Sequence, residues 1–276
     1  MCFSPFEKIP SLIQDCRTLG IEVSAPDINL SISDFTIKDD KIIFGLNAIK
    51  GVKSGAANIE LSRNVEYTSL ENFMSRCTSD KRICEALINA GCFDSFNNNR
   101  KSTLALYEEY SPLFKRITEK QKKLSDISSS DRVKTNAKLA IDEARQMIAS
   151  KSYPLLMEDN KSKLEKEYNT LGIYVSGHPL DNYFEIPGTV NFSDLTPGTH
   201  RISGIITKVE ERYDRFGETM ATITVSDKSD EVKILAFANI YNWKRRLLKE
   251  GNIISCMIDV SEKKTYDEES GEEKIF

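Results

Sequence analysis

The sequence predicts a multi-domain α + β protein, in which a small helical domain is followed by a linker and then by a small β-barrel. Apolar residues recur at helical spacing in the first third of the 276 residues, residues 117–166 turn polar and charge-rich, and after Pro197-Gly198 the apolar period falls to two. A chain of this length accommodates one to three domains at about 100–200 residues each.

Residues 6–19, FEKIPSLIQDCRTL, carry Ile9, Leu12, Ile13, Cys16 and Leu19 at helical spacing, with Gly20 placed as the stop. Pro26-Asp27-Ile28-Asn29 reads as a turn, and FTIKDDKIIFGL (35–46) as a hairpin around Asp39-Asp40. Residues 1–40 therefore form one region. From 41 to 116 short helices are punctuated by Gly51, Gly55 and Gly91 and by Asn97-Asn98-Asn99. Residues 117–196 read as a charged linker with helical content rather than a core, with a helix over about 130–150 after a loop at Ser125–Ser130.

Residues 197–276 read as the barrel. THRISGIITKVEERY, ETMATITVSDKS and EVKILAF are strands, turned at Phe216-Gly217 and Ser229-Asp230. A helix over about 239–249 and a further strand, NIISCMIDVSEK, follow. Three strands, a helix and a fourth strand are the order of a Greek-key barrel of oligonucleotide-binding (OB) type. The sequence stops at EEKIF, where a fifth strand would begin, so a truncated five-stranded OB-type barrel with an unpaired edge is expected.

Composition narrows the function classes. The chain is 39% apolar and 29% charged, as soluble globular proteins are. It has no apolar run of about 18 residues, so no membrane span is expected. MCFSPFEKIP lacks a basic start followed by an apolar core, which argues against a secretory signal and for the cytoplasm. Cysteines at 2, 16, 77, 84, 92 and 256 contain no CxxC pair and match no zinc spacing. The net charge of −4 argues against indiscriminate attraction to nucleic acid. Residues 41–116 depart from it, with eleven Lys/Arg against eight Asp/Glu, a net of +3.

Within that segment, Ala48-Ile49-Lys50-Gly51-Val52-Lys53-Ser54-Gly55-Ala56-Ala57 has the pattern helix, short glycine-containing hairpin, helix. Glycines there allow positive φ and close approach of a backbone, and turn amides with a following helix N-terminus face an anion. Lys50 and Lys53 add charge; an ordinary glycine turn is the alternative. A second such pattern, ALINAGCFDSFNNNRKSTLALYEEY (86–110), puts Arg100 and Lys101 at the head of a helix that Asn97–Asn99 could cap. Two such hairpins would grip both strands across one minor groove. In the barrel, Glu211-Arg212-Tyr213-Asp214-Arg215-Phe216-Gly217 interleaves aromatics with arginines, a pattern that stacks bases and touches phosphates. The alternative is that Tyr213 or Phe216 caps the barrel end. The opposite loop, TYDEESGEE, is acidic and argues against nucleic acid on that side.

YVSGHPLD (174–181) brings Ser176, His178 and Asp181 together, but no nucleophile elbow or oxyanion-hole glycines accompany them. Pro179 fits the first position of a short helix and Gly177 a sharp turn into it, so the stretch reads as a structural joint. No catalytic residue and no metal ligand is assigned.

Five pieces resemble one family in its own order: CRTLGIEVSAPDINLS (16–31), IIFGLNAIKGVKSGAA (42–57), EALINAGCFDSF (85–96), EKEYNTLGIYVSGHPLDNYF (165–184) and GIITKVEERYDRFGETMATITVSDKSDEVKILAF (204–237). The chain resembles the C-terminal half of the bacterial DNA polymerase III alpha subunit. The resemblance implies a fingers tail (1–40), a tandem helix-hairpin-helix DNA-binding domain (41–116), a linker with the GHPLD joint (117–196) and an OB barrel near single-stranded template (197–276). The implied DNA contacts are Lys50, Gly51, Val52, Lys53, Ser54, Gly55, Asn99, Arg100, Lys101, Arg212, Tyr213, Arg215 and Phe216. The parent is a DNA-directed DNA polymerase, a nucleotidyltransferase, whose catalytic carboxylates and divalent metals belong to a palm domain that this segment lacks. The segment is therefore expected to need no cofactor and to be inactive alone. Expected partners are duplex DNA, single-stranded template and replisome subunits such as the sliding clamp or clamp-loader, with no membrane. Two departures stand out: Lys53 occupies the usual position of a second hairpin glycine, and Gln146-Met147-Ile148, the nearest match to a clamp-binding peptide, lacks its aromatic. The alternative role is a replisome interaction scaffold with little DNA affinity.

Overall fold

The computed structural model describes residues 9, 12–13, 15–17, 19–53, 55–78, 80–97, 99–126, 128, 130–183 and 186–261, and the backbone of 264–266 and 273–275. The chain divides into two compact units, residues 1–176 and 177–276.

In the first unit, residues 9, 12–13 and 15–17 of the expected N-terminal helix are helical, and Leu19 and Gly20 turn out of it, Gly20 at φ +73°. Strands β1 (Val23–Ser24), β2 (Thr36–Lys38) and β3 (Lys41–Ile43) form a small sheet in the order β1-β3-β2. The β2–β3 hairpin turns at Asp39 and Asp40, with φ 51° and 60°. A two-residue turn of this hand needs two left-handed residues, and short polar side chains tolerate that conformation. Three short helices follow, α1 (Ala56–Ser62), α2 (Leu70–Arg76) and α3 (Lys81–Ala90). Ser69 accepts from the Asn72 N–H at 3.1 Å and Asp80 from the Ile83 N–H at 3.1 Å, satisfying donors that α2 and α3 would otherwise leave bare.

The linker reading is corrected by what comes next. Helix α4 (Arg100–Ser125) packs against α5 (Asp131–Ala149), and both contribute to the same core as α1–α3. Tyr107, Tyr110, Phe114 and Ile117 are buried on α4, and α5 buries a stripe of Ala137, Ala140, Ile141, Ala144 and Ile148. That stripe is narrow and mostly alanine, so the composition of 117–149 is set by its solvated face. Helix α6 (Asn160–Leu171) packs on α3, and Leu171 and Ile173 complete the core.

The second unit is built on β4 (Gly198–Tyr213). Its first half pairs with β7 (Ile253–Val260) and its second half with β5 (Thr219–Ser226), which carries β6 (Glu231–Ala236). A bulge between Ile206 and Lys208 divides the halves, so one strand bends to serve two neighbours and the sheet curls. Helix α7 (Ala238–Lys244) lies between β6 and β7 in sequence, as the OB order requires. The sheet order β6-β5-β4-β7 makes a half-barrel around Ile202, Ile206, Ala221, Ile223, Val225 and Tyr241. Strands β8 (Lys264–Tyr266) and β9 (Glu273–Ile275) form a separate antiparallel pair. The fold is thus the expected α + β helical domain followed by a partial OB-type barrel.

Candidate nucleic-acid interface

The first hairpin is held from below by its apolar residues. Leu46, Ala48, Ile49, Val52, Ala56 and Ile59 are all buried, which leaves Lys50 and Lys53 exposed on the outer side of the turn. Its leading arm is one turn of 3-10 helix, Leu46–Ala48, and its trailing arm is α1. Gly51 turns the corner at φ +99°, where a side chain would be strained. A Cβ on Gly51 would stand 3.6 Å from Arg82 Cγ and 3.7 Å from Arg82 Nε, so exposed Arg82 of α3 lies beside the corner. Arg82 was absent from the sequence prediction because it belongs to a different helix, and only the packing of α3 on the hairpin brings it there. Gly55 serves packing: a Cβ there would come within 2.8 Å of Ile83 Cδ1.

Several predicted backbone contacts need correction. The amide of Lys50 donates to Thr170 O at 3.0 Å, that of Val52 to Ile49 O at 3.1 Å and that of Gly55 to Val52 O at 2.6 Å. Val52 and Gly55 therefore present neither side chain nor N–H to a ligand. Ser54 lies outside the described residues. What the corner offers an anion is chiefly the charge of Lys50, Lys53 and Arg82.

The second hairpin is occupied by groups of the chain itself. Asn99 does cap α4, accepting from the Ser102 N–H at 2.8 Å, but its amide also donates to Leu156 O at 2.6 Å. The first two α4 amides, of Arg100 and Lys101, donate to the Glu158 carboxylate at 3.3 and 2.8 Å, and Lys101 Nζ donates to Met157 O at 3.1 Å. A carboxylate of the chain thus occupies the helix end where a phosphate was expected. Arg100 is 4% exposed and ion-paired with Asp94 and Glu167, each at 2.7 Å, and it also donates to Asn89 O at 3.1 Å. Asn99, Arg100 and Lys101 thus each have partners within the chain.

Gly91 makes that burial possible. It ends α3 at φ +87°, and a Cβ there would stand 2.7 Å from Arg100 Cζ. Gly91→Ala is expected to lower stability by about 2 kcal/mol through left-handed strain and displacement of Arg100; urea denaturation followed by circular dichroism checks this.

In the second unit the arginine–aromatic loop is open to solvent. Tyr213 and Phe216 are 77% and 76% exposed, and the Arg215 guanidinium lies 4.7 Å from the Phe216 ring centroid. Asp214 fixes the turn by accepting from the N–H groups of Phe216 and Glu218 at 2.8 and 2.9 Å. The buried ring nearby is Tyr241, whose hydroxyl donates to Glu211 at 2.5 Å. Exposed Arg212 pairs across the ladder with Met220, and on the same outer face Lys208, Thr224 and Lys233 stand in register. Lys208 is ion-paired with Glu210 at 2.6 Å on that face, and single lysines in a strand carry no signal until register aligns them. The acidic residues 267–272 lie outside the described residues.

The family described as "Helix-hairpin-helix motif" matches residues 20–103. The DNA polymerase III subunit alpha of Borreliella burgdorferi is 31% identical over 91% of this chain and 22% of its own length. That of Thermus aquaticus is 31% identical over 88% of this chain and 20% of its own length, and that of Aquifex aeolicus 28% identical over 90% and 20%. The chain matches the DNA polymerase III alpha subunit. It fits a C-terminal segment of that subunit and spans about a fifth of the length of the curated relatives it matches.

The LGIYVSGHPLD string that carried the resemblance to the alpha subunit runs across the division between the two units. Ser176 donates to Glu167 Oε2 at 2.7 Å, so its hydroxyl is engaged by a buried carboxylate of α6. His178 and Asp181 cap the 3-10 turn Pro179–Asn182 reciprocally: His178 Nδ1 accepts from the Leu180 N–H at 3.2 Å, and Asp181 from the His178 N–H at 2.6 Å. Lys228 at 2.8 Å and the His178 N–H hold the Asp181 carboxyl below its ordinary range. The division between the two units falls between Ser176 and Gly177. The stretch nearest to the family's clamp-binding peptide, Gln146-Met147-Ile148, is helical in α5 with Ile148 in the core.

Proposed function

We propose that this chain is a non-catalytic, DNA-holding portion of a replicative DNA polymerase, gripping duplex by sequence-independent phosphate contacts at the first hairpin. The observation that carries this reading is the exposed set Lys50, Lys53 and Arg82 around a glycine corner whose apolar residues are buried. Rigid anchoring of the turn lets cations meet a sugar-phosphate strand without ordering a flexible loop. Such contacts raise affinity without reading bases. The test is an anisotropy titration of the chain on primed duplex at stepped salt. Lys50→Ala/Lys53→Ala is expected to weaken binding and to reduce the salt slope by about 2; an unaltered slope refutes the assignment.

The second unit is assigned to the single-stranded template on the strength of Tyr213, Phe216 and their flanking arginines. Each stacked base contributes about 1–3 kcal/mol. Tyr213→Ala/Phe216→Ala is therefore expected to weaken binding of an oligo(dT) by roughly tenfold or more. Binding of duplex through the first hairpin should persist in that variant.

A further inference from the structure

Helix α7 carries two apolar faces, and its role in the barrel uses only one. On the inner side Tyr241 is buried, Arg245 holds Glu211 at 2.8 and 3.0 Å, and Leu248 packs on the barrel core. On the outer side Phe237, Ile240, Trp243 and Leu247 are each more than half exposed, Trp243 at 77%. Their spacing of three, three and four residues runs along one side, from the N-cap of the helix to the turn that follows it. Scattered exposed apolar residues are ordinary, but four on one stripe are a surface.

The charges around the stripe are of one sign. Lys244 Nζ stands 3.7 Å from the Trp243 ring centroid, and Arg246 and Lys249 are exposed beside Leu247. The nearby acids are engaged: Glu211 by Tyr241 and Arg245, Glu250 by the Val209 N–H at 3.1 Å, and Glu218 by Asn242 at 3.3 Å. A complementary occupant must supply apolar anchors one helical turn apart and carboxylates at their rim. A second copy of this face would set cations against cations. Single-stranded nucleic acid would meet aliphatic Ile240 between the two rings and Leu247 beyond them, where no stacking surface exists.

We propose that the outer face of α7 docks an acidic amphipathic helical segment of another protein, with Phe237, Ile240, Trp243 and Leu247 receiving its apolar stripe and Lys244, Arg246 and Lys249 its carboxylates. The mode is a helix laid on an apolar face, read through anchors at i, i+3 or i+4, and i+7.

Trp243 is the one tryptophan of the sequence, so its emission reports on the surface directly. The probe is a synthetic helical peptide with leucines at i, i+4, i+7 and i+11 and glutamates elsewhere, titrated into the full chain. The control is the same composition permuted to destroy the apolar stripe. Expected is a saturable blue shift with the amphipathic peptide alone, weakened at least about tenfold by Ile240→Ala/Leu247→Ala and again by Lys244→Glu/Arg246→Glu/Lys249→Glu. All five positions are exposed or half-exposed, and circular dichroism verifies that each variant folds. Three results overturn the proposal: no saturable shift up to roughly 1 mM peptide, an equal shift with the permuted control, or displacement of the peptide by oligo(dT). A concentration-dependent blue shift of the chain alone, with dimers in sedimentation, would likewise overturn it by assigning the face to a second copy. Duplex affinity at the first hairpin should be the same in every α7 variant, so this test and that of the DNA grip fail independently.

Discussion

Glu167→Ala is expected to destabilise the first unit by about 3–5 kcal/mol, the cost of removing one partner from a buried ion pair. Glu167 is fully buried and Arg100 nearly so, and the two meet at 2.7 Å. Burial alone would lower the Arg100 pKa, but Asp94 and Glu167 together raise it above the ordinary value, so the guanidinium remains charged. The same carboxylate accepts from the Val175 and Ser176 amides at 2.5 and 2.8 Å and from the Ser176 hydroxyl at 2.7 Å. Alanine would leave an under-compensated cation and three donors without their acceptor. For a unit of this size the melting temperature should fall by roughly 6–20 °C. Circular dichroism at 222 nm follows this helix-rich unit, whereas Trp243 fluorescence follows the second, so the two transitions should separate in the variant. A loss below about 1 kcal/mol would show that water reaches the network and replaces the carboxylate.

Replacing both charges by leucine should recover only part of that loss. A buried pair exchanged for apolar residues is often neutral, because two desolvation penalties vanish together with the attraction. Here Glu167 has a second task, since the chain enters the joint through the Val175 and Ser176 amides that it binds. Leucine accepts no hydrogen bond, so those donors stay unsatisfied in the double variant.

Much of this was legible in the sequence where local chemistry decides structure. Asp39-Asp40, Gly20, Gly91 and the period-two stretches after residue 197 act within a few residues of themselves, and each appears where it was expected. The α4–α5 pair was misread because charge dominates a composition while burial needs only one stripe per helix. The site divided along the same line. Lys50 and Lys53 are outward because their immediate neighbours are apolar, which the sequence displays. Arg100 has the chemistry of a phosphate ligand and the position of a core strut, and only Asp94 and Glu167, brought in by folding, tell the two apart. Arg82 and the outer face of α7 needed the packing of separate elements before they could be seen.

The two hairpins should therefore respond oppositely to charge reversal. Lys50→Glu/Lys53→Glu/Arg82→Glu removes three cations from the open corner. At about 1 kcal/mol for each exposed phosphate contact at low salt, duplex affinity should fall roughly a hundredfold, with a loss of salt slope near 3. The added carboxylates would then repel the backbone, so that figure is a lower bound. Lys101→Glu, at the head of α4, should leave duplex affinity nearly unchanged, because the helix end beside it already holds Glu158 and its own ammonium is turned to Met157 O. Its effect should appear in stability instead, since a second carboxylate would face Glu158 at the positive end of the helix. Equal losses of affinity from both variants would mean that Glu158 leaves α4 when duplex binds and that both hairpins grip. A loss confined to Lys101→Glu would reverse the assignment outright. The expected asymmetry follows from one placement: an acidic residue 58 positions after Arg100 fills the second hairpin from within.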